Sequence, residues 1–205
     1  MEHSSPSLTK FVSSIDVSRE TLSKLTIYHD ALIKWQQKIN LVSASTLDKA
    51  WERHFLDSAQ LFDLLSFPDE PIFDLGSGAG FPGLVLSIMG AGQVSLLESD
   101  QRKCIFLSEV IRQTNASAKV VNARIESMKE RAKTITSRAC ASLEQLFTYA
   151  YPLLLAEGEC LFLKGRGAME EIEAAKKSWM FHVEQYPSKV DSESVILRIT
   201  HLQKR

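Results

Sequence analysis

The 205-residue chain has few cysteines, no long apolar run and almost no net charge. Cys104, Cys140 and Cys160 are odd in number, widely spaced and without a CxxC pair, which excludes a disulfide framework or a zinc ribbon. They read as small apolar thiols, and no metal site is expected. The longest apolar stretches, such as Tyr151 to Ala156, fall far short of the ~20 residues a membrane helix needs. The segment from Met1 to Phe11 lacks a basic patch followed by an apolar core, so the expectation is a cytoplasmic protein without a secretory signal. Twenty-four Lys and Arg face 25 Asp and Glu, a net charge of −1 that argues against a general nucleic-acid coat. The balance is uneven: residues 71–140 carry 9 basic and 6 acidic side chains, against 7 and 10 before them and 8 and 9 after. That tilt is weak support for an anionic partner on one face.

At 44% hydrophobic and 24% charged, the composition is that of a globular protein. From Ser18 onward the apolar residues Leu22, Leu25, Tyr28, Leu32, Trp35 and Ile39 fall at helical spacing, with Ser18 as N-cap. Leu47, Trp51, Phe55, Ala59, Phe62 and Leu65 repeat the pattern, and Trp35 and Trp51 read as core residues. Pro68 and Pro71 then end the helical section. Beyond them short strands are predicted at residues 71–75, 94–98, 119–122, 134–137, 159–164, 181–185 and 194–200, with helices over 102–113, 143–155 and 168–178. Strands alternating with helices indicate a Rossmann-like α/β sheet, mostly parallel, with helices on both faces. Residues 1–67 read as an N-terminal helical extension and 68–205 as the α/β domain, packed as one unit.

The most informative stretch is Asp74-Leu75-Gly76-Ser77-Gly78-Ala79-Gly80-Phe81-Pro82-Gly83. Its glycines permit positive φ and let a ligand approach bare backbone at the carboxyl end of the first strand. Glu98 ends the second strand, where a carboxylate can accept both hydroxyls of a ribose. Gly78 to Gly83 also matches GxGxxG, which leaves a nicotinamide dinucleotide as a competitor. Three features favour S-adenosyl-L-methionine: the Asp-x-Gly-x-Gly-x-Gly spacing resembles the class I methyltransferase fingerprint, Pro82 removes an N–H where pyrophosphate would sit, and no dehydrogenase substrate domain follows.

Trp35, Asn40-Leu41-Val42-Ser43, Arg53-His54-Phe55-Leu56-Asp57-Ser58, the glycine loop, Ser137-Arg138-Ala139 and Leu163-Lys164-Gly165 together resemble the glucose-inhibited division protein B family, from about residue 22 to the C-terminus. Those proteins are bacterial methyltransferases that modify N7 of a guanine in 16S rRNA. Cys140 departs from the pattern, where a plain apolar residue is expected. The resemblance implies a class I fold and a SAM-dependent rRNA (guanine-N7) methyltransferase, with 16S rRNA of the small subunit as partner and a monomeric chain. It further implies that Gly76, Phe81, Ile125, Glu126 and Arg138 line the cofactor site, with Glu98 on the ribose; Gly78 joins them from the reading of the glycine loop. His54 and Asp57, three apart on a helix, are expected to bond each other and to lock the extension onto the domain. Arg124, Lys129, Arg131 and Lys133 read as a solvated face.

Guanine N7 has a lone pair and no proton, so no catalytic residue need act as a base; Arg138 is the candidate for orienting cofactor or base. The absence of Asn/Asp-Pro-Pro-Tyr/Phe after the fourth strand argues against methylation of an exocyclic amine. Cys140 lacks the Pro-Cys context of a pyrimidine-C5 nucleophile. Two other readings stay open from sequence: a methyltransferase of a small molecule or protein, and a non-catalytic SAM-binding assembly factor.

Overall fold

The apolar spacing that begins at Leu22 becomes a helix because Ser18 sets its start, extended in backbone and accepting the Thr21 N–H at 3.0 Å. The computed structural model describes residues 6–138 and 140–205; Met1–Ser5, and Ala139 of the Ser137-Arg138-Ala139 motif, lie outside the described residues. A short helix α1 (Pro6–Ser14) precedes α2 (Arg19–Gln36). Gln36 folds the chain back on itself: its Oε1 accepts from Leu41 and Val42 N–H and its Nε2 donates to the Val42 carbonyl, all within 3.0 Å.

Where the spacing predicts one helix from Leu47 to Leu65, the structure breaks it into α3 (Ala44–Leu47), a π-helical turn (Trp51–Leu56), α4 (Asp57–Ala59) and a 3-10 turn (Phe62–Leu64). The cause is crowding of inward side chains. Trp51, His54, Phe55 and Leu56 are all buried, more than one face of a regular helix carries, and the wider turn accommodates them. It also leaves His54 and Asp57 without a bond to each other; both reach instead toward the sheet.

Seven strands follow: β1 (Ile72–Leu75), β2 (Val94–Glu98), β3 (Ala118–Asn122), β4 (Ala132–Arg138), β5 (Leu154–Lys164), β6 (Trp179–Pro187) and β7 (Val195–Lys204), in the order β3-β2-β1-β4-β5-β7-β6. β1 to β5 pair in parallel, and β7 runs antiparallel to both β5 and β6. The connecting helices are α5 (Gly83–Met89), α6 (Gln101–Thr114), α7 (Leu143–Ala150) and α8 (Ala168–Ala175). The helix expected over 143–155 stops at Ala150, because Pro152 has no N–H to continue it, and Leu154 already belongs to β5.

Alternation along the strands divides the core between the two faces. Ile72, Val94 and Leu96 pack with α2, α5, α6 and the π turn; Phe73, Leu75 and Leu97 pack with α7 and α8. The helical extension has no separate core: Phe11, Leu25, Tyr28 and Phe55 share one cluster with Leu84, Phe106 and Ile196. Trp51 is buried as expected, and Trp35 is half-buried against Phe106. Arg124, Lys129 and Arg131 are exposed, whereas Lys133 lies over the Phe67 ring and donates to the Ala156 carbonyl.

A buried carboxylate ties the end of the extension to the sheet. Glu159 on β5 accepts from the Ser66 N–H at 2.7 Å and the Ser66 hydroxyl at 2.8 Å, and lies 3.1 Å from Arg198 of β7, whose Nη2 donates to the Leu64 carbonyl. Removing Glu159 strips the Ser66 N–H and hydroxyl of their acceptor, whereas Arg198 keeps Glu184 at 3.5 Å and the Tyr186 hydroxyl at 3.1 Å. Glu159→Ala should therefore lose about 1–3 kcal/mol of stability in urea unfolding, the cost of leaving buried donors unsatisfied. A loss below about 1 kcal/mol, the range of an exposed pair, would contradict this role.

Candidate active site

The glycine loop leaves β1 with Gly76, Gly78 and Gly80 all at positive φ (64°, 57° and 97°). Ser77 stitches it down, its N–H donating to the Leu97 carbonyl and its hydroxyl to the Asp74 carbonyl, each at 3.0 Å. A Cβ on Gly80 would meet the Tyr28 hydroxyl oxygen at 2.6 Å, and the same hydroxyl donates to the Ala79 carbonyl. The extension thus buttresses the loop from behind. On the open side a Cβ on Gly78 would meet only the Gly76 carbonyl oxygen, at 3.8 Å, so bare backbone faces the cavity there.

Glu98 joins three elements. One carboxylate oxygen accepts from Gly78 N–H at 2.8 Å and the other from Asp100 N–H at 2.7 Å, at the N-cap of α6. Asp74 lies beneath the loop, fully buried; its Oδ1 accepts from Thr136 at 2.9 Å, and its Oδ2 has no hydrogen-bond partner among the described residues. Burial pushes its carboxyl up to about 6.

A cavity of about 510 Å³ opens at the carboxyl ends of β1, β4 and β5. Gly76, Gly78 and Phe81 line one side and Arg138 another; Arg53, His54 and Asp57 come from the extension, and Lys164 and Glu171 from the far wall. Arg138 carries the connection. Its Nη1 donates to His54 Nδ1 at 2.9 Å and to the Arg53 carbonyl at 3.0 Å and lies 3.6 Å from Asp57, while its guanidinium stands 4.9 Å from the Phe81 ring centre. Nη2 and Nε make no hydrogen bond among the described residues and are left for the cavity.

The protonation of His54 follows from its partners. The Thr46 hydroxyl donates its only proton to the Ser43 carbonyl at 2.8 Å, so at 2.8 Å from His54 Nε2 it must accept. Nε2 therefore carries the proton, and Nδ1 accepts from Arg138. Burial, then Arg138, then Arg53 hold the imidazole down to about 3. Burial raises Asp57, with Arg138 opposing.

Of the residues singled out from sequence, Gly76, Gly78, Phe81 and Arg138 meet at this cavity, and Glu98 braces its loop. Ile125 and Glu126 occupy a 3-10 turn after β3, outside the cavity lining; Ile125 is half-buried and Glu126 exposed. Cys140 is exposed, and a Cβ on Gly76 would lie 2.6 Å from its Sγ. Burial of the sulfur raises that thiol, the opposite of an activated nucleophile. Sequence reasoning gave no role to Thr46, Lys164 or Glu171. Thr46 carries no motif signal, and Lys164 stood only as part of Leu163-Lys164-Gly165.

The depressed His54 has a pH signature. The unfolded chain binds this proton near 6.5 and the folded chain near 3, so the contribution to stability is complete above 6.5 and is lost as pH falls toward 3. Nitrogen-15 NMR should show His54 as the neutral Nε2–H tautomer with no titration between pH 5 and 8. A midpoint near 6.5 would contradict the network.

Among known proteins, the family model described as rRNA small subunit methyltransferase G (GidB) matches residues 21–197. The ribosomal RNA small subunit methyltransferase G of Paramagnetospirillum magneticum is 49% identical, covering 92% of each chain. That of Rhodospirillum centenum is 48% identical over 96% of this chain and 92% of the other. Among solved structures, a ribosomal protein L11 methylase from Lactobacillus delbrueckii subsp. bulgaricus superposes with a TM-score of 0.59 at 14% identity, covering 70% of this chain and 75% of that one. The tRNA (m1A58) methyltransferase of Aquifex aeolicus gives 0.56 at 12% identity, covering 73% and 69%. These structural likenesses establish the class I methyltransferase fold. With the sequence match over nearly its full length, the chain belongs to the GidB family, the rRNA small subunit methyltransferases G.

Proposed function

We propose that this protein transfers a methyl group from S-adenosyl-L-methionine to N7 of a guanine in the 16S rRNA of the small ribosomal subunit. The observation that carries this reading is the family match over residues 21–197 on a chain whose glycine loop lines a cavity and is braced from behind by the acidic strand end. The residues present suit such a cofactor. Gly78 offers bare backbone where any side chain would fill the cavity, and Glu98 keeps lone pairs for ribose hydroxyls beyond the two N–H groups it accepts. Asp74 adds negative potential beneath a cationic ligand. Ile125 and Glu126 follow the segment where the Ala123 N–H donates to the Glu98 carbonyl, a position suited to the adenine edge.

When bound, the cofactor supplies an electrophilic methyl group on a sulfonium. Guanine N7 needs no proton removed, so the work of the chain is positioning: holding N7 about 3 Å from that methyl, in line with the bond that breaks. Arg138, fixed through Nη1, presents Nη2 and Nε to orient the base or cofactor, and Phe81 forms an apolar surface beneath it. The deep groove of an RNA helix hides N7, so the target base is in a loop or extruded. The near-neutral chain favours an assembled subunit over naked RNA, because few phosphate contacts are on offer.

Methyl transfer from labelled cofactor to small subunits, followed by mapping of the base, tests the reading directly. Label at guanine N7 of 16S rRNA is expected; no label on any RNA would leave a non-catalytic binder. Arg138→Ala should lose most of the activity and Arg138→Lys should recover little, because an ammonium cannot hold His54 and serve the cavity with the same planar fork. Cys140→Ser should stay within several-fold of wild type. The reverse pattern, an inactive Cys140→Ser beside an active Arg138→Ala, would replace this mechanism with cysteine nucleophilic chemistry.

A further inference from the structure

At the far wall of the cavity, Lys164 ends β5 and faces Glu171 on α8. The Lys164 side chain is only 9% exposed, and its Nζ donates to the Ala141 carbonyl at 2.9 Å and to Glu171 Oε2 at 2.7 Å. An ammonium has three N–H groups, so one remains free. Glu171 Oε2 also accepts the Leu143 N–H at 2.5 Å, whereas its Oε1 has no partner among the described residues. The pair, on a strand end and a helix, lines the cavity that holds Gly76, Gly78 and Arg138, and it keeps one donor and one acceptor beyond these bonds. Of the other cations on that lining from β4 and the extension, Arg53 is engaged by Asp191 at 3.0 Å and Arg138 is held through Nη1 by His54 and Asp57.

We propose that Lys164 and Glu171 read the Watson–Crick edge of the target base, the free ammonium proton donating to guanine O6 and Glu171 Oε1 accepting from guanine N1–H. The inference rests on the guanine-N7 reading of this cavity and names the residues that select the base. Guanine presents O6 beside N1–H, an acceptor beside a donor, which complements the pair. Adenine presents an amino group beside an unprotonated N1, the reverse order, and would set donor against donor and acceptor against acceptor. Discrimination of this kind is strong because a mismatched base leaves buried polar groups unpaired. With a single N–H free, Lys164 cannot occupy N7 as well, so the lone pair that takes the methyl group stays open. The anchoring of Oε2 and of two ammonium protons to neighbouring groups pre-orients both readers.

The test compares wild type with Glu171→Gln, Glu171→Ala and Lys164→Met on small subunits reconstituted with guanine, inosine or adenine at the mapped position, with cofactor affinity measured by calorimetry. In wild type, inosine, which keeps O6 and N1–H, should react within a few-fold of guanine, and adenine should not react. Each variant should keep cofactor affinity within about twofold while kcat/KM on guanine falls about 10- to 100-fold, the range of one lost base-edge pairing. Glu171→Gln keeps the side-chain shape and an acceptor for Leu143 while turning a donor to the base, so its guanine-over-adenine ratio should shrink most. Variants that lose cofactor affinity or melting temperature with the guanine-over-adenine ratio unchanged would assign the pair to holding the loop and overturn the inference alone. Wild type that labels no guanine N7 at all would remove the functional reading and this inference with it.

Discussion

A guanidinium taken out of water at the end of β4 requires acceptors, and the sheet supplies none for Nη1 of Arg138. The acceptors come from the helical extension: the imidazole of His54, the Arg53 carbonyl and, further off, Asp57. Burial draws the Arg138 pKa down and the Asp57 carboxylate counters it, so the buried guanidinium depends on the extension for its partners. The rest of the site depends on this docking. The Phe81 ring lies beneath the guanidinium and 5.3 Å from Tyr28, whose hydroxyl meets the glycine loop. Glycine loop, aromatic floor and extension form one mechanical unit.

The same economy governs charge across the cavity. Arg53, Arg138 and Lys164 each lie beside a carboxylate, Asp191, Asp57 and Glu171 respectively. Paired cations hold position without projecting the long-range field of a basic surface, which fits a chain with a net charge of −1.

Much of this was legible in the sequence, and the parts that were not have physical causes. The period of Leu22 to Ile39 and the cap at Ser18 gave α2, and the short apolar strands with their intervening helices gave the sheet, because both signals are local. The glycine spacing located the loop for the same reason, whereas the bond by which Glu98 braces it joins residues 20 apart and leaves no pattern in the sequence. The break between Leu47 and Leu65 was hidden, since apolar spacing does not distinguish a regular helix from a π turn that buries Leu56 beside Trp51, His54 and Phe55. His54 and Asp57 fasten the extension as their spacing suggests, but to Arg138 rather than to each other; Arg138 lies more than 80 residues away in sequence, and no spacing rule reaches it. Lys164 and Glu171 face each other across a strand–helix connection, so a motif that includes only Lys164 cannot reveal the pair.

The dependence of Arg138 on the extension is tested most directly by a double-mutant cycle between His54 and Arg138, read as kcat/KM for methyl transfer to small subunits. If His54 acts through Arg138, then His54→Ala alone is costly, and adding it to Arg138→Ala costs little more. The two losses should fail to add by about 1–3 kcal/mol, the coupling expected of residues in one network. Losses that add to within about 0.5 kcal/mol would mean that the two residues act independently and that the extension does not hold the arginine for catalysis.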